Sequence, residues 1–150
     1  MSLDSIKIRT ASIDDIPSIF SLVKELAVYE KAEHEVYVDE DYYRQAFNDG
    51  IFDALVATDK DDVLGICIYY TTFSTWKGKM LYLEDFVVRE AYRKKGIGQL
   101  LYDKLVAFAK TDGFRLMKWQ VLDWNEPAIK FYEKNEATIE KEWWNCKVIF

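Results

Sequence analysis

Apolar and polar residues alternate along Ser5 to Thr10 (SIKIRT), the period of a short, half-buried strand. The period then lengthens. Ile16, Ile19, Phe20, Val23, Leu26 and Ala27 recur at helical spacing, which predicts a helix with one core face running to about Tyr29. Ser12 is placed to cap it, and Asp14 and Asp15 fall in the first turn, where the helix dipole favours negative charge. The polar, acidic YEKAEHE that follows reads as a loop. Asp39 can cap a second, short helix containing Tyr42, Tyr43, Ala46 and Phe47, which stops near Gly50. Phe52 to Ala57 and Val63 to Phe73 are β-rich runs separated by DKDD, which is turn chemistry, so they read as a hairpin. WKGK at Trp76 to Lys79 makes another turn before Met80 to Val88, giving three successive antiparallel strands.

Beyond them, Leu100, Leu101, Leu105, Val106 and Ala109 mark a helix face ending at Gly113, and Phe114 to Val121 reads as a strand. Asn125 is placed to cap a helix with Pro127 in its first turn and Ala128, Ile129, Phe131 and Tyr132 following. Two β-prone pieces, ATIE and NCKVIF, finish the chain. The predicted order β α α β β β α β α β β belongs to the α/β (α+β) class, with a central mixed, mostly antiparallel sheet flanked by helices. With no repeat, low-complexity tract or linker, residues 1–150 are expected to form one domain.

Half of the 150 residues are hydrophobic and 16% aromatic, enough to build a packed core. The net charge of −6 weighs against nonspecific nucleic-acid binding, which needs a basic surface. It suits a cationic partner, or it serves solubility alone. Cys67 and Cys146 form no CxxC or CxxH pattern, so neither a disulfide framework nor a zinc site is expected, and reduced thiols in a cytoplasm are the simplest account. There is no cationic segment leading into an apolar run at the N-terminus, and no apolar stretch of membrane-spanning length, so no membrane association is expected. A nucleophilic pair of Cys67 with His34 has little support, because Cys67 lies in a continuous apolar β-like run and His34 in the polar loop.

One stretch runs against the acidic balance. LEDFVVREAYRKKGIGQLL passes from a strand through Arg93, Lys94, Lys95, Gly96, Ile97 and Gly98 into an amphipathic helix. Glycines let backbone approach a ligand, and the first amides of a helix face whatever lies before its N-terminus, a combination that suits a pyrophosphate. A solvated structural turn explains the same residues, and Arg93 can either meet a phosphate or brace the loop. The spacing lacks both the G-x-G-x-x-G of a dinucleotide fold and the G-K-S/T of a nucleoside-triphosphate loop.

The Q/R-x-x-G-x-G/A form of RKKGIG, in its strand–loop–helix setting, resembles the coenzyme A loop of the GNAT N-acetyltransferase superfamily. IRTASIDDIPSIFSLVKELAVYE and WNEPAIKFYEKNEA look like that family's opening strand and helix and its downstream cofactor and catalytic segment. KELAVYE, YYTTFSTWKGKMLYLEDFVV and DWNEPAIKFYEK are more closely similar to the diamine (spermidine/spermine) N-acetyltransferase branch. After FYEK the family usually carries a glycine where this chain has Asn135-Glu136, and Asn135 is the residue expected to supply the left-handed turn.

The resemblance implies a set of roles. Backbone groups of Phe86, Val87 and Val88 would pair with the pantetheine arm of acetyl-CoA, which calls for a splayed or bulged sheet. Arg93, Lys94, Lys95, Gly96, Ile97, Gly98 and Gln99 would hold its pyrophosphate, and Asn125 would contact the cofactor, though helix capping alone would explain that residue. Tyr132 is the candidate general acid, beside which core packing is the plain alternative, and it is also counted among the cofactor contacts. Glu84 is the candidate base, acting through water, with Asp85, Glu30, Glu33 and Trp76 meeting a cationic acceptor. Strand alternation sets Glu84 and Asp85 on opposite faces unless a bulge intervenes, which would leave one as a solvated edge charge. The YEKAEHE carboxylates have the same bland reading.

The function this implies is direct acetyl transfer from acetyl-CoA, without a metal, to a primary amine of a small polyamine or diamine. An amino acid or lysine analogue such as thialysine as the acceptor is one alternative, and a noncatalytic acyl-CoA-binding domain is another. A cytoplasmic homodimer is the expected setting, with Trp143 and Trp144 available to an interface.

Overall fold

The structure is a computed structural model that describes all 150 residues. It divides into two compact units, Met1–Trp119 and Gln120–Phe150. The first contains a five-stranded sheet in the order β1-β2-β3-β4-β5, built from β1 (Ile6–Thr10), β2 (Asp53–Asp59), β3 (Asp62–Ser74), β4 (Gly78–Val88) and β5 (Leu116–Lys118). The first three ladders are antiparallel and the last, Met80–Tyr82 against Leu116–Lys118, is parallel. This is the mixed, mostly antiparallel sheet that the hydrophobic pattern predicts.

Helices cover both faces. On one, α1 (Ile16–Tyr29) inserts Ile16, Ile19, Leu22 and Val23 against Ala54, Val56, Ile66, Ile68 and Val87, with α2 (Glu40–Asn48) adding Tyr43 and Phe47 at the margin. On the other, α3 (Ile97–Thr111) inserts Ile97, Leu101, Leu105 and Ala109 against Leu55, Cys67, Leu81 and Leu83. Burying an aliphatic side chain of this kind contributes roughly 1.5–3 kcal/mol, so these two stripes carry much of the first unit's stability. Asp39 caps α2 by accepting from the Tyr42 amide at 2.9 Å. The entry to α1 is built differently from expectation. Asp15 contributes less through the helix dipole than through a two-bond pairing with the Arg9 guanidinium at 2.7 and 2.9 Å, while also accepting from the Ser12 amide.

The second unit holds α4 (Glu126–Lys134), capped by Asn125, whose side chain accepts from the Ala128 amide at 3.4 Å. Three expectations are corrected. The strand read over Phe114 to Val121 shrinks to Leu116–Lys118. ATIE and NCKVIF form no strand, because β-propensity is realised only against a partner ladder and none pairs with them here. The left-handed residue after α4 is Glu136, at φ 63°, while Asn135 stays at φ −91° and turns its side-chain amide back to the Phe131 carbonyl at 2.8 Å. No helix is long and apolar enough to cross a membrane.

Candidate active site

The middle of β4 decides the chemistry of the sheet surface. Ile68 of β3 lies opposite Asp85 but Tyr69 lies opposite Leu83, so Glu84 is an extra residue and the ladder slips by one. Such a bulge inverts the alternation beyond it. Leu81 and Leu83 face the α3 core, whereas Val87, which unbroken alternation would place with them, faces the α1 core. Glu84 and Asp85 therefore both lie on the α1 side. The sequence reading allowed for this arrangement only on the condition of a bulge.

The consequence is electrostatic. Asp85 is pushed up to about 7, first by burial and then by the nearby carboxylates of Glu84 and Glu30. Glu30, which ends α1, is itself raised by burial. Tyrosines line the cluster. Tyr70 donates its hydroxyl to Glu84 at 3.0 Å and stacks on Tyr82, ring centroids 5.4 Å apart. Tyr43 is raised to about 12 by burial, with Asp85 and Glu84 adding to the shift. Asp85 and Glu30, both held from ionising, lie with the Glu84 carboxylate among aromatic rings, an arrangement that can receive a cation.

The other predicted acceptor residues lie elsewhere. Glu33 is exposed in a short 3₁₀ turn, Glu33–Glu35, with His34, which reaches Glu35 at 3.9 Å. Trp76 is 84% exposed at the tip of the β3–β4 hairpin. At about 3.3 Å per residue, six positions of β4 put that tip roughly 20 Å from Glu84. Cys67 has no accessible surface, and burial raises its thiol, so it is no nucleophile.

Downstream of the bulge, Phe86 and Val88 pack toward the α3 core, leaving the backbone of β4 as the feature of interest. The β4–β5 ladder ends at Tyr82, so the two strands part before the bulge. A 3₁₀ turn, Glu90–Tyr92, then leads into the basic loop, where Lys94 (φ 61°) and Gly96 (φ 90°) are both left-handed. The first helical bond of α3 runs from the Leu100 amide to the Gly96 carbonyl, so the amides of Ile97 and Gly98 precede the ladder.

Arg93 braces this loop. Its Nε donates to the Val88 carbonyl at 2.9 Å, its guanidinium lies 3.7 Å from Glu25 and 5.2 Å from the Tyr29 ring centre. Glu25 of α1 also accepts from the Glu90 amide at 2.7 Å and pairs with Arg89 at 3.5 Å. Sequence reasoning missed Glu25, since a polar residue between apolar helix positions carries no signal of its long-range partners. It also missed Tyr70 and Tyr82, although period-two counting from Glu84 marks Tyr82.

The fit of coenzyme A can be tested at Gly98. A Cβ there would meet the Phe86 ring at 3.6 Å and Val88 at 3.9 Å, ordinary contacts, and its φ is not left-handed. The fold does not require glycine at that position; close approach of a ligand to the helix N-terminus would. Lys94 and Lys95 are exposed beside it.

In the second unit, Tyr132 lies in α4, 8% exposed, with its ring edge-to-face with Phe131 at 5.7 Å. Asn125 is buried at the helix cap.

Residues 16–136 match the profile of the Acetyltransferase (GNAT) family. The chain belongs to that family. It is an N-acetyltransferase with acetyl-CoA as donor. It is 35% identical to the thialysine N-epsilon-acetyltransferase of Bos taurus, across 94% of this chain and 90% of that protein. It is also 35% identical to the spermidine/spermine N(1)-acetyltransferase-like protein 1 of Homo sapiens, across 91% of this chain but 21% of that larger protein. A crystal structure of an aminoglycoside acetyltransferase from an uncultured soil metagenomic sample, in complex with trehalose, superposes with a TM-score of 0.82. That match covers 99% of this chain and 98% of that one at 19% identity, which speaks for the fold.

Proposed function

We propose that this N-acetyltransferase transfers acetyl directly to a primary amine of a small cationic acceptor, a diamine, polyamine or lysine analogue. The observation that carries the reading is the bulge at Glu84, which puts two carboxylates on one face beside Glu30. An alkylammonium is protonated near neutral pH and must lose a proton before it can attack. The cluster both attracts the cation and can receive that proton.

Acetyl-CoA, when bound, supplies a thioester whose acyl carbon the amine attacks and whose sulfur leaves. Glu84, the exposed member of the pair, takes the ammonium proton through water and holds it at its carboxylate. Asp85 and Glu30 position the ammonium group by charge. Asp85, near 7 without a cation, is drawn down by one, so acceptor affinity rises with pH up to about that value. Tyr132 gives its phenolic proton to the departing sulfur and is restored by the proton that the newly acylated nitrogen sheds, and Asn125 orders the start of its helix. The first-turn amides of α3, with Lys94, Lys95, Gly96 and Gln99, hold the donor's pyrophosphate, and the backbone of Phe86 to Val88 runs beside the pantetheine arm. The family match runs past Trp119 to residue 136, which supports the two units acting as one catalytic domain.

The likeness to proteins named for thialysine and for spermidine/spermine supports both acceptor types. We further take the protein to work in a cytoplasm as a homodimer, with Trp76 and Glu33, both exposed outside the cluster, guiding the acceptor inward. The test is free-thiol release and product mass after mixing protein with acetyl-CoA and spermidine, spermine, putrescine, lysine or thialysine. Turnover with at least one is expected, and none with any of them overturns the acceptor class. Light scattering that returns a monomer overturns the dimer.

A further inference from the structure

A cavity of about 490 Å³ lies at the edge of the sheet where β2 begins and where α2 and α3 end. This is the size range of small-molecule sites. Its walls are aromatic, from Phe47, Phe52, Phe108 and Phe114, and it carries two carboxylates, Asp53 and Asp112. Tyr69 also lines it. That residue is 5% exposed, yet its hydroxyl has no hydrogen-bond partner within the chain. No side-chain oxygen is fully buried without a partner, so the Tyr69 hydroxyl opens into the cavity, where it can meet a ligand atom. Burial raises the Tyr69 phenol first, and Asp53 and Asp112 add to the shift, placing both carboxylates within electrostatic reach.

The wall already shows the recognition it offers. The Lys79 ammonium sits 4.2 Å from the centre of the Phe114 ring and donates to Asp112 at its carbonyl (2.8 Å) and its carboxylate (3.1 Å). Asp53, by contrast, has a single hydrogen bond, from the adjacent Ala54 amide at 2.8 Å. We propose that this cavity is a second ligand site, which takes a small organic ammonium ion with an apolar stem. The ammonium would sit between Asp53 and the Tyr69 hydroxyl, and the stem among the phenylalanine rings. The cavity borders the acceptor cluster through Tyr70, whose hydroxyl bonds Glu84, but its own carboxylates, Asp53 and Asp112, are not those of the cluster.

The probe is n-butylammonium, titrated calorimetrically without acetyl-CoA into the full chain carrying Glu84→Gln and Asp85→Asn, which removes two of the three carboxylates of the acceptor cluster. One binding event is expected to persist. Adding Asp53→Asn should weaken it about tenfold, and Tyr69→Phe about threefold to fivefold, as loss of a charged and a neutral hydrogen bond predicts. Thr71→Trp, at an exposed wall position, should abolish it by filling the space. No binding in the doubly substituted background, or binding indifferent to both Asp53→Asn and Thr71→Trp, overturns the second site. Failure of the acceptor reading would show separately, as undiminished acetyl transfer by the same double variant.

Discussion

The basic loop at Arg93–Gly98 and the acidic bulge at Glu84–Asp85 lie within one stretch of fifteen residues, yet they are made in different ways. The loop follows from local chemistry: glycines, cations and the start of a helix, in an order that suits an anion cradle. The bulge does not exist locally. It arises because β3 and β4 pair with a one-residue slip, and only then do two neighbouring carboxylates share a face. A site for an anion can be written into a short motif, because backbone amides supply it. A site for a cation needs side-chain carboxylates gathered against their own repulsion, and that takes packing from several elements.

The largest expected effects test the chemistry on which the comparison rests. Glu84→Gln should lower kcat about a hundredfold or more, with KM for acetyl-CoA unchanged, as removal of a positioned base does. Tyr132→Phe should lower kcat to a similar extent while leaving donor binding intact. Steady-state kinetics at saturating donor measure both, and an unaltered kcat in either variant removes that residue's role.

Asp85→Asn sharpens the acidic half. KM for the amine should rise about tenfold, and its dependence on pH around 7 should flatten. The same change should stabilise the fold. A carboxylate whose folded pKa is raised to about 7 contributes stability below its unfolded value that is lost as pH rises through the folded one. Removing that charge should therefore raise stability by about 1–3 kcal/mol at pH 8 and hardly at all at pH 4. Urea unfolding at the two pH values reads this directly, and a loss of stability at pH 8 would contradict the buried-carboxylate account.

Gly98→Ala tests the basic half with opposite signs. With ordinary contacts around the new Cβ, stability should hold or rise by up to about 1 kcal/mol, as alanine replaces glycine in a helix. KM for acetyl-CoA should nonetheless rise roughly tenfold. An unchanged KM would mean that no ligand approaches that backbone. The smallest effect is expected from Glu25→Gln. Its ion pairs with Arg89 and Arg93 are partly exposed, so about 0.5–1 kcal/mol of stability and a twofold to fivefold rise in KM for acetyl-CoA are expected.

Much of the fold was legible in advance. The α1 stripe, the three-strand meander and the α3 face all lie within a few residues of where periodicity put them, because each element is long enough to repeat its period several times. The failures fall where a partner decides. NCKVIF has strand composition but no ladder, and the left-handed turn after α4 falls to Glu136 because Asn135 spends its side chain on the Phe131 carbonyl. In the candidate site, RKKGIG and Tyr132 could be singled out from the chain, whereas Glu25, Tyr70 and Tyr43 take their contacts from neighbours 14 to 65 residues away or from other elements.

By itself, then, the sequence determined most of the elements, the class of fold and the place of the basic loop, because helical period, turn chemistry and glycine placement act over a few residues. Only the tertiary structure decided which carboxylates face one another, how strongly each holds its proton and which hydroxyl is left open in a cavity. Register, burial and through-space charge depend on residues far apart in the chain, and no short stretch contains them.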